Sequence, residues 1–323
     1  MNIFKRNNEQ PKAENWEQSV LEKVAMASVL EQKRARRWSV FFKLLLVTYI
    51  IGISALAYSP SRGGYASTGG SHTAVVDIKG IIMSGAEADA ETIIDSLHNA
   101  VADPNTKGVI LRLNTPGGSP VQSSYVYKAI LDIKEEYPDL PIHAVVEDLC
   151  ASGGYYIAAA ADKIFVNESS IIGSIGVVMN GFGFTEVMKN MGVERRLYTA
   201  GSHKGFLDPF SKVNPDEAAH VQTLLNTIHQ EFIQSVKQGR GKRLKDHPDL
   251  FSGLVWAGGE GIKLGLADGI GNVKSVAALE IGAKNLVDFT TEKPLLERIA
   301  KSMGAAMAEF THRLSLMDSM RIN

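Results

Sequence analysis

Two glycine-rich turns each follow a run of apolar residues, and each could carry chemistry. The first is the sequence NTPGG at 114–118, which ends in Gly117 and Gly118. Paired glycines leave backbone N–H groups open to a ligand, and a helix that begins just after them directs its positive end to the same place. Such N–H groups can stabilise an oxyanion. A Pro-Gly-Gly sequence is also an ordinary turn, so this motif alone assigns no activity.

The second turn, at 150–156 (CASGGYY), contains a serine where a helix is expected to begin. Ser152 precedes two glycines, and Gly153 could donate its N–H to an oxyanion beside the hydroxyl. The Gly-x-Ser-x-Gly elbow is not matched, because Cys150 occupies the place of the first glycine. Serine is also a preferred helix N-cap, so Ser152 could be either a nucleophile or a cap. Cys150 is a weaker candidate nucleophile, since a small apolar thiol next to a buried strand is typical of a core.

A serine hydroxyl is a poor nucleophile until a base removes its proton. Lys204, in the segment TAGSHKGFLDPF at 199–210, could be that base. Its pKa would have to fall from about 10.4, and burial lowers the pKa of a lysine readily. A triad of Ser152, His203 and Asp208 is the alternative. Neighbouring residues on a strand point to opposite faces, so only one of His203 and Lys204 could serve the site.

Composition excludes several other classes of protein. Lysine and arginine (34) nearly balance aspartate and glutamate (35), and a net charge of −1 gives no attraction to nucleic acid. The single cysteine excludes a disulfide framework and any multi-cysteine metal site. His-Glu-x-x-His, a Walker lysine loop and Ser-x-x-Lys are all missing from the sequence. We therefore predict neither a metal ion nor a cofactor, and no nucleic-acid partner.

Strand-like and helix-like patterns alternate from Thr73 onward. Short β-branched runs predict strands at 73–83, 108–114, 142–149, 163–167, 174–179 and 195–200. Helical spacing predicts helices at 88–102, 121–136 and 214–238, the last with Asn214 as its cap. This order favours an α/β domain with a mostly parallel sheet. We place that domain at 73–285, followed by an amphipathic helix at 286–323.

The run at 38–58 (WSVFFKLLLVTYIIGISALAY) carries one charge, Lys43. About 20 apolar residues in a helix cross a bilayer core roughly 30 Å thick. Basic residues precede the run, so the polar tail at 1–37 should stay cytoplasmic and the domain should lie outside the cytoplasm. We predict a transmembrane signal-anchor in the inner membrane, a flexible Gly/Ser linker at 59–72 and a periplasmic domain. A cleaved signal peptide and a buried core helix are the alternatives.

Four motifs in this order resemble the signal peptide peptidase A family, also called protease IV. They are NTPGG, ASGGYYIA at 151–158, ESSIIGSIGV at 168–177 and the lysine-containing segment at 199–210. The short members with one amino-terminal span are the most similar form. The resemblance implies the fold shared by the Clp-protease proteolytic subunit and the crotonases, with a ring-like homo-oligomer. It also implies cleavage of signal-peptide remnants by a serine–lysine dyad.

Carried over position by position, the resemblance makes Ser152 the nucleophile and Lys204 the general base. Ser174 corresponds to a serine that contacts the lysine amine. The oxyanion donors would be the N–H of Gly153 and one from Gly117 or Gly118. Ser119 follows where some relatives continue with glycine, so the choice between those two stays open. Long members carry two copies of this domain, so a single copy needs a site completed within itself or by a neighbouring subunit.

Two other functions are compatible with the sequence. An acyl-CoA enzyme of the crotonase kind would share the fold and the oxyanion turns, although a membrane anchor would be unusual for it. A catalytically idle scaffold of a membrane complex is the other. An idle relative is expected to lose Ser152 or Lys204, and both are present.

Overall fold

The computed structural model describes residues 14–58 and 70–291. The chain divides into two compact units, one of which comprises 1–60 and 294–323 and the other 61–293. The predicted terminal helix lies outside the described residues from 292 onward, as do residues 59–69 of the linker predicted at 59–72. The last linker residue, His72, belongs instead to the first strand. The two units are described separately below.

A single helix forms the described part of the first unit. Helix α1 runs over Glu14–Tyr58. Its side chains are described for 20–52, and all of these are exposed. Among the helices of the described segments, none is long and apolar enough to cross a membrane. The predicted span at 38–58 is therefore not confirmed, and the side chains of its last residues, 53–58, are outside the described part.

The second unit is built on one sheet of eight strands. These strands are β1 (His72–Ile82), β2 (Thr106–Gly118), β3 (Ile142–Ala151), β4 (Lys163–Val166), β5 (Ile171–Gly173), β6 (Val255–Ala257), β7 (Gly269–Ile270) and β8 (Leu286–Asp288). The order is β6-β5-β3-β2-β1-β8, and β4 pairs with both β3 and β7. All pairs are parallel except β5 with β6. The predicted α/β domain with a mostly parallel sheet is confirmed.

Seven helices of the second unit follow or flank these strands. They are α2 (Ala90–Ala102), α3 (Pro120–Glu136), α4 (Gly153–Ala158), α5 (Thr185–Asn190), α6 (Pro215–Arg240), α7 (Gly258–Lys263) and α8 (Val273–Val276). Ser119 caps α3 through its side chain, and Asn214 caps α6 in the same way with Pro215 next to it. These caps satisfy N–H groups that the first turn of a helix leaves free. The predicted start of the long helix at 214 is confirmed.

The central strands are buried on both faces, as parallel strands between helical layers must be. Alternate residues of β1 show this, because Val76 belongs to the larger core and Val75 to a smaller one on the other face. The larger core includes side chains of α2, α3, α4 and α6, whereas the smaller one includes Val276 of α8. Strand β8 pairs with β1 and extends the sheet to Asp288, past the predicted boundary at 285.

Two predicted strands do not form. Residues 174–179 and 195–200 have no strand structure, although their β-branched side chains favour it. A strand needs a partner for its N–H and C=O groups, and no partner strand reaches either segment within the described chain. Both lie in or next to a stretch that we call the arm, residues 178–213, in which no residue is buried. Val178 is 83% exposed and Tyr198 is 90% exposed.

Candidate active site

Ser152 occupies a strained turn between β3 and α4. Its backbone has φ 51° and ψ −122°, and its side chain makes no capping hydrogen bond. A positive φ at a residue other than glycine costs about 1 to 3 kcal/mol and is found mainly at functional sites. The Ser152 N–H donates to the carbonyl of Gly173 at 2.8 Å, which ties the turn to the end of β5. The alternative reading of Ser152 as a side-chain cap is therefore wrong.

Residues 114–118, predicted as a turn, instead form the end of β2, where Gly117 and Gly118 pair with β1, and this strand end packs directly against Ser152. A Cβ added to Gly117 would lie 2.6 Å from the Gly153 nitrogen and 2.8 Å from the Ser152 Cβ. A Cβ on Gly153 would lie 3.2 Å from the Gly118 nitrogen, so the amides of Gly118 and Gly153 are close neighbours. The Gly117 N–H already donates to Thr115 Oγ1 at 3.0 Å. Only residues without a Cβ can approach this closely, which explains the glycines.

Ser174 follows β5 in a second strained turn. Its φ is 52°, and its N–H donates to the Leu254 carbonyl at 2.8 Å. Ser152 and Ser174 both line one cavity of about 690 Å³, together with Gly118 and Gly153. Apolar and aromatic side chains form much of the remaining wall: Val121, Tyr125, Tyr156, Val177, Val178, Ile228 and Phe232. The structure thus brings four of the predicted site residues to one apolar cavity.

Helix α6 closes one side of this cavity. Phe232 packs edge to face on Tyr156 with ring centroids 4.8 Å apart. The Ser235 hydroxyl donates to the Tyr156 hydroxyl at 2.9 Å, and Tyr127 donates to the Ser235 carbonyl at 3.0 Å. His229 Nε2 lies 3.0 Å from the Ile175 carbonyl, next to Ser174. This wall was not predicted, because helical spacing within α6 says nothing about which distant turn the helix will contact.

Lys204 lies elsewhere in the same unit. It is exposed on the arm, in a turn where its N–H donates to the Gly201 carbonyl at 3.2 Å, and it does not line the cavity. The structure of the single chain therefore does not bring Lys204 together with Ser152.

The alternative triad is not formed either. His203 Nδ1 lies 3.1 Å from a Glu217 carboxylate oxygen, and its side chain is exposed. Asp208 instead accepts from the Ser211 hydroxyl at 2.7 Å and from Arg195. The hydrogen bond from Ser211 and those from Arg195 and the Phe210 amide lower the pKa of Asp208 below its ordinary value. Neither His203 nor Asp208 lines the cavity of Ser152.

Cys150 is a core residue, as its surroundings predicted. It is fully buried, and burial raises the pKa of its thiol far above the ordinary value. A thiol that cannot ionise is not a nucleophile. Among the described residues, no cluster of histidine, cysteine or carboxylate side chains could hold a metal ion.

Comparison with known proteins connects this geometry to a family. The model of peptidase family S49 matches residues 135–286, a range that contains Ser152, Ser174 and Lys204 but not the glycines at the end of β2. Protease 4 of Haemophilus influenzae is 31% identical over 206 residues, 62% of this chain and 32% of that protein. Capsid assembly protease C of Escherichia phage lambda is 31% identical over 183 residues, 56% of this chain and 40% of that protein.

A protein of Brucella abortus named Na(+)/H(+) antiporter NhaA is 44% identical over 215 residues, 65% of this chain. The chain spans only 29% of that protein, and it spans less than half of each of the other two relatives. The resemblance to the signal peptide peptidase A family, stated above from four motifs, is confirmed by the family model and by the match to protease 4. The match to peptidase family S49 is therefore shown for residues 135–286 of the chain.

Proposed function

We propose that this protein is a serine endopeptidase in which Ser152 is the nucleophile. The observation that carries the proposal is the position of Ser152, on a strained turn beside two glycine amides and open to an apolar cavity. The match to this family favours a peptidase over an acyl-CoA enzyme, which would share the turns. A metal ion is not needed for this chemistry, because the glycine amides supply the electrostatic stabilisation.

The proposed reaction proceeds through an acyl-enzyme. The Lys204 amine removes the proton of the Ser152 hydroxyl as its oxygen attacks the peptide carbonyl. The N–H groups of Gly118 and Gly153 stabilise the oxyanion, since that of Gly117 is engaged by Thr115. The lysine then protonates the leaving amine, and a water molecule activated by the same lysine releases the acyl group. In this scheme Ser174 hydrogen-bonds the lysine amine.

We infer that Lys204 reaches Ser152 from a neighbouring copy of the chain. Lys204 is exposed on the arm, and the arm presents apolar side chains that its own unit does not cover. These include Val178, Phe182, Met191, Tyr198 and Val213. Large apolar patches of this kind mark contact surfaces. A head-to-tail ring in which each arm packs on the next cavity would bring Lys204 of one copy to Ser152 of the next.

The proposed substrates are apolar peptides such as the remnants of cleaved signal peptides. The aromatic and aliphatic walls of the cavity suit such side chains. The sequence at 38–58 would anchor the enzyme in the inner membrane near these substrates, with the peptidase unit on the periplasmic side. Protease added outside spheroplasts should then cut the linker at 59–72 and spare an amino-terminal tag. Digestion of the tag with protection of the peptidase unit would contradict this topology.

Peptide hydrolysis by the purified full-length protein tests the peptidase proposal. Wild-type protein should cleave apolar peptides, and Ser152→Ala should reduce kcat by at least about 10³-fold. Ser169→Ala, an exposed serine away from the cavity, is the matched control and should keep full activity. Near-wild-type turnover by a correctly assembled Ser152→Ala protein would reject Ser152 as the nucleophile.

A further inference from the structure

The cavity that contains Ser152 has one charged lining residue, Glu231. The other lining residues of the described chain are apolar, aromatic, hydroxyl-bearing or glycine. An exposed carboxylate at the edge of an apolar wall attracts a cationic group on a ligand. Neither the motifs nor the proposed reaction gives this side chain a task.

Glu231 lies at the boundary between the cavity of Ser152 and an adjoining groove. It is exposed, and it lines both the cavity of Ser152 and an adjoining groove that also shares Ser124 and Tyr156. On α6 it precedes the buried Phe232 and stands one turn from Ile228, and all three line the cavity. Glu231 is thus at the mouth of the cavity, with apolar residues next to it on α6.

The backbone of α6 holds Glu231 in a fixed relation to the site. Phe232 and Ser235 bind Tyr156, which belongs to the helix that begins after Ser152. On the other side, His229 contacts the carbonyl of Ile175. These contacts tie α6 to both walls that carry the two serines, so the backbone of Glu231 has a defined place relative to them.

The Glu231 carboxylate has no cationic partner within the described part of the chain. No nitrogen of a described lysine, arginine or histidine lies within 4.0 Å of it. Lys128 lines the adjoining groove but makes no ion pair with Glu231 at that limit. A cation supplied by a ligand would therefore meet an available acceptor.

We propose that Glu231 makes the peptidase select substrates with a lysine or arginine side chain in this cavity. The aliphatic stem of either residue would pack on Ile228 and Phe232, and its charged end would reach Glu231 at the mouth. This specificity rests on the proposed peptidase function and narrows it, from apolar peptides to apolar peptides that also carry a basic residue.

Paired peptides test the proposal on the full-length oligomeric enzyme. The two peptides of a pair are identical except at one position, where one carries lysine and the other norleucine. A series of such pairs places this position in turn at each residue that flanks the cleaved bond. At one position, wild-type kcat/KM should favour lysine by about fivefold, because an exposed ion pair contributes up to about that factor. Glu231→Gln should remove this preference and keep norleucine cleavage, and Glu231→Lys should favour a glutamate-containing peptide. Glu135→Gln, an exposed glutamate away from the cavity, should leave the preference unchanged.

The outcomes separate the two proposals. Cleavage without a lysine preference at any position, or a preference that survives in Glu231→Gln, overturns the specificity and leaves the peptidase function intact. Equal loss of both rates in Glu231→Gln also overturns it, because Glu231 would then serve assembly or the reaction itself. If the wild-type protein cleaves no peptide of either kind, the peptidase function fails and the specificity falls with it.

Discussion

The N–H of Ser152 donates a 2.8 Å hydrogen bond to the carbonyl of Gly173, the residue immediately before Ser174. This bond joins the ends of β3 and β5, so the two serines are held by the same connection. Both have a positive φ, 51° for Ser152 and 52° for Ser174. Strain at two adjacent turns is tolerated only where the surrounding structure fixes it, and here the sheet does so.

Ser174→Ala should lower kcat with little change in KM. If Ser174 orients the lysine amine, its loss misplaces the base, and a misplacement of about 1 Å can cost roughly 100-fold in rate. Steady-state kinetics on one peptide substrate measure both constants. A rise in KM with kcat unchanged would instead assign Ser174 to substrate binding.

Lys204→Ala should remove activity about as fully as Ser152→Ala, since the two act as one unit. Lys204→Arg should not restore it, because a guanidinium does not give up its proton. Lys212→Ala, an exposed lysine on the same arm, is the matched control and should keep its activity. Full activity in Lys204→Ala would refute the dyad.

Mixed oligomers distinguish a shared site from one completed within a single copy. Co-expressed in equal amounts, Ser152→Ala and Lys204→Ala chains should regain about a quarter of wild-type activity if head-to-tail neighbours complete each site. Half of the copies keep Ser152, and half of their neighbours keep Lys204. Each variant expressed alone should stay inactive. No recovery in a verified mixed oligomer would place both residues of the dyad in one copy.

A buried ion pair should make the stability of the peptidase unit sensitive to acid. Arg240 is fully buried and binds both carboxylate oxygens of Asp268, at 2.7 and 2.9 Å. Burial alone raises the pKa of Asp268, but the hydrogen bonds from Arg240 and the Ile164 amide, with the nearby charges, lower it below the ordinary value. A carboxyl with a lowered folded pKa contributes stability above its unfolded pKa and loses it as pH falls through the folded value.

Asp268→Asn should therefore cost about 3 kcal/mol of unfolding free energy at neutral pH, because it leaves the Arg240 charge unpaired. The difference from wild type should begin to shrink below about pH 4, where the carboxyl of the unfolded chain takes up a proton, and should disappear only as pH falls through the lowered pKa of the folded carboxyl. Denaturant unfolding followed by circular dichroism, from pH 7 down to about pH 2, measures both. Asp139→Asn, an exposed aspartate, is the control. Equal stability of Asp268→Asn and wild type at pH 7 would rule out this contribution.

Local patterns predicted the central sheet but not the parts that depend on distant partners. Strands β1 to β3 and the Asn214 cap can be predicted because each signal depends only on residues that are close in sequence. The sequence does not predict strands β5, β6, β7 and β8, since segments of two or three residues show no periodicity. It predicts a strand at 174–179 because the residues there favour one, yet no described strand pairs with that segment.

The candidate site also has residues that the sequence predicts and residues that it does not. Ser152, Ser174 and the glycines were found because they lie in motifs at the ends of strands. Phe232 and Glu231 were missed, since only the packing of α6 against Tyr156 brings them to the cavity. The position of Lys204 relative to Ser152 cannot be read from one chain if, as proposed, a second copy supplies it.

Labelling with a serine-reactive fluorophosphonate tests the central claim most directly. The Ser152 oxygen should displace fluoride from phosphorus, and mass spectrometry of the digested wild-type protein should find the adduct on Ser152 alone. Ser152→Ala should show no label under the same conditions, while Ser169→Ala should label as wild type does. An adduct on another residue, or equal labelling of Ser152→Ala, would contradict the assignment of Ser152 as the nucleophile.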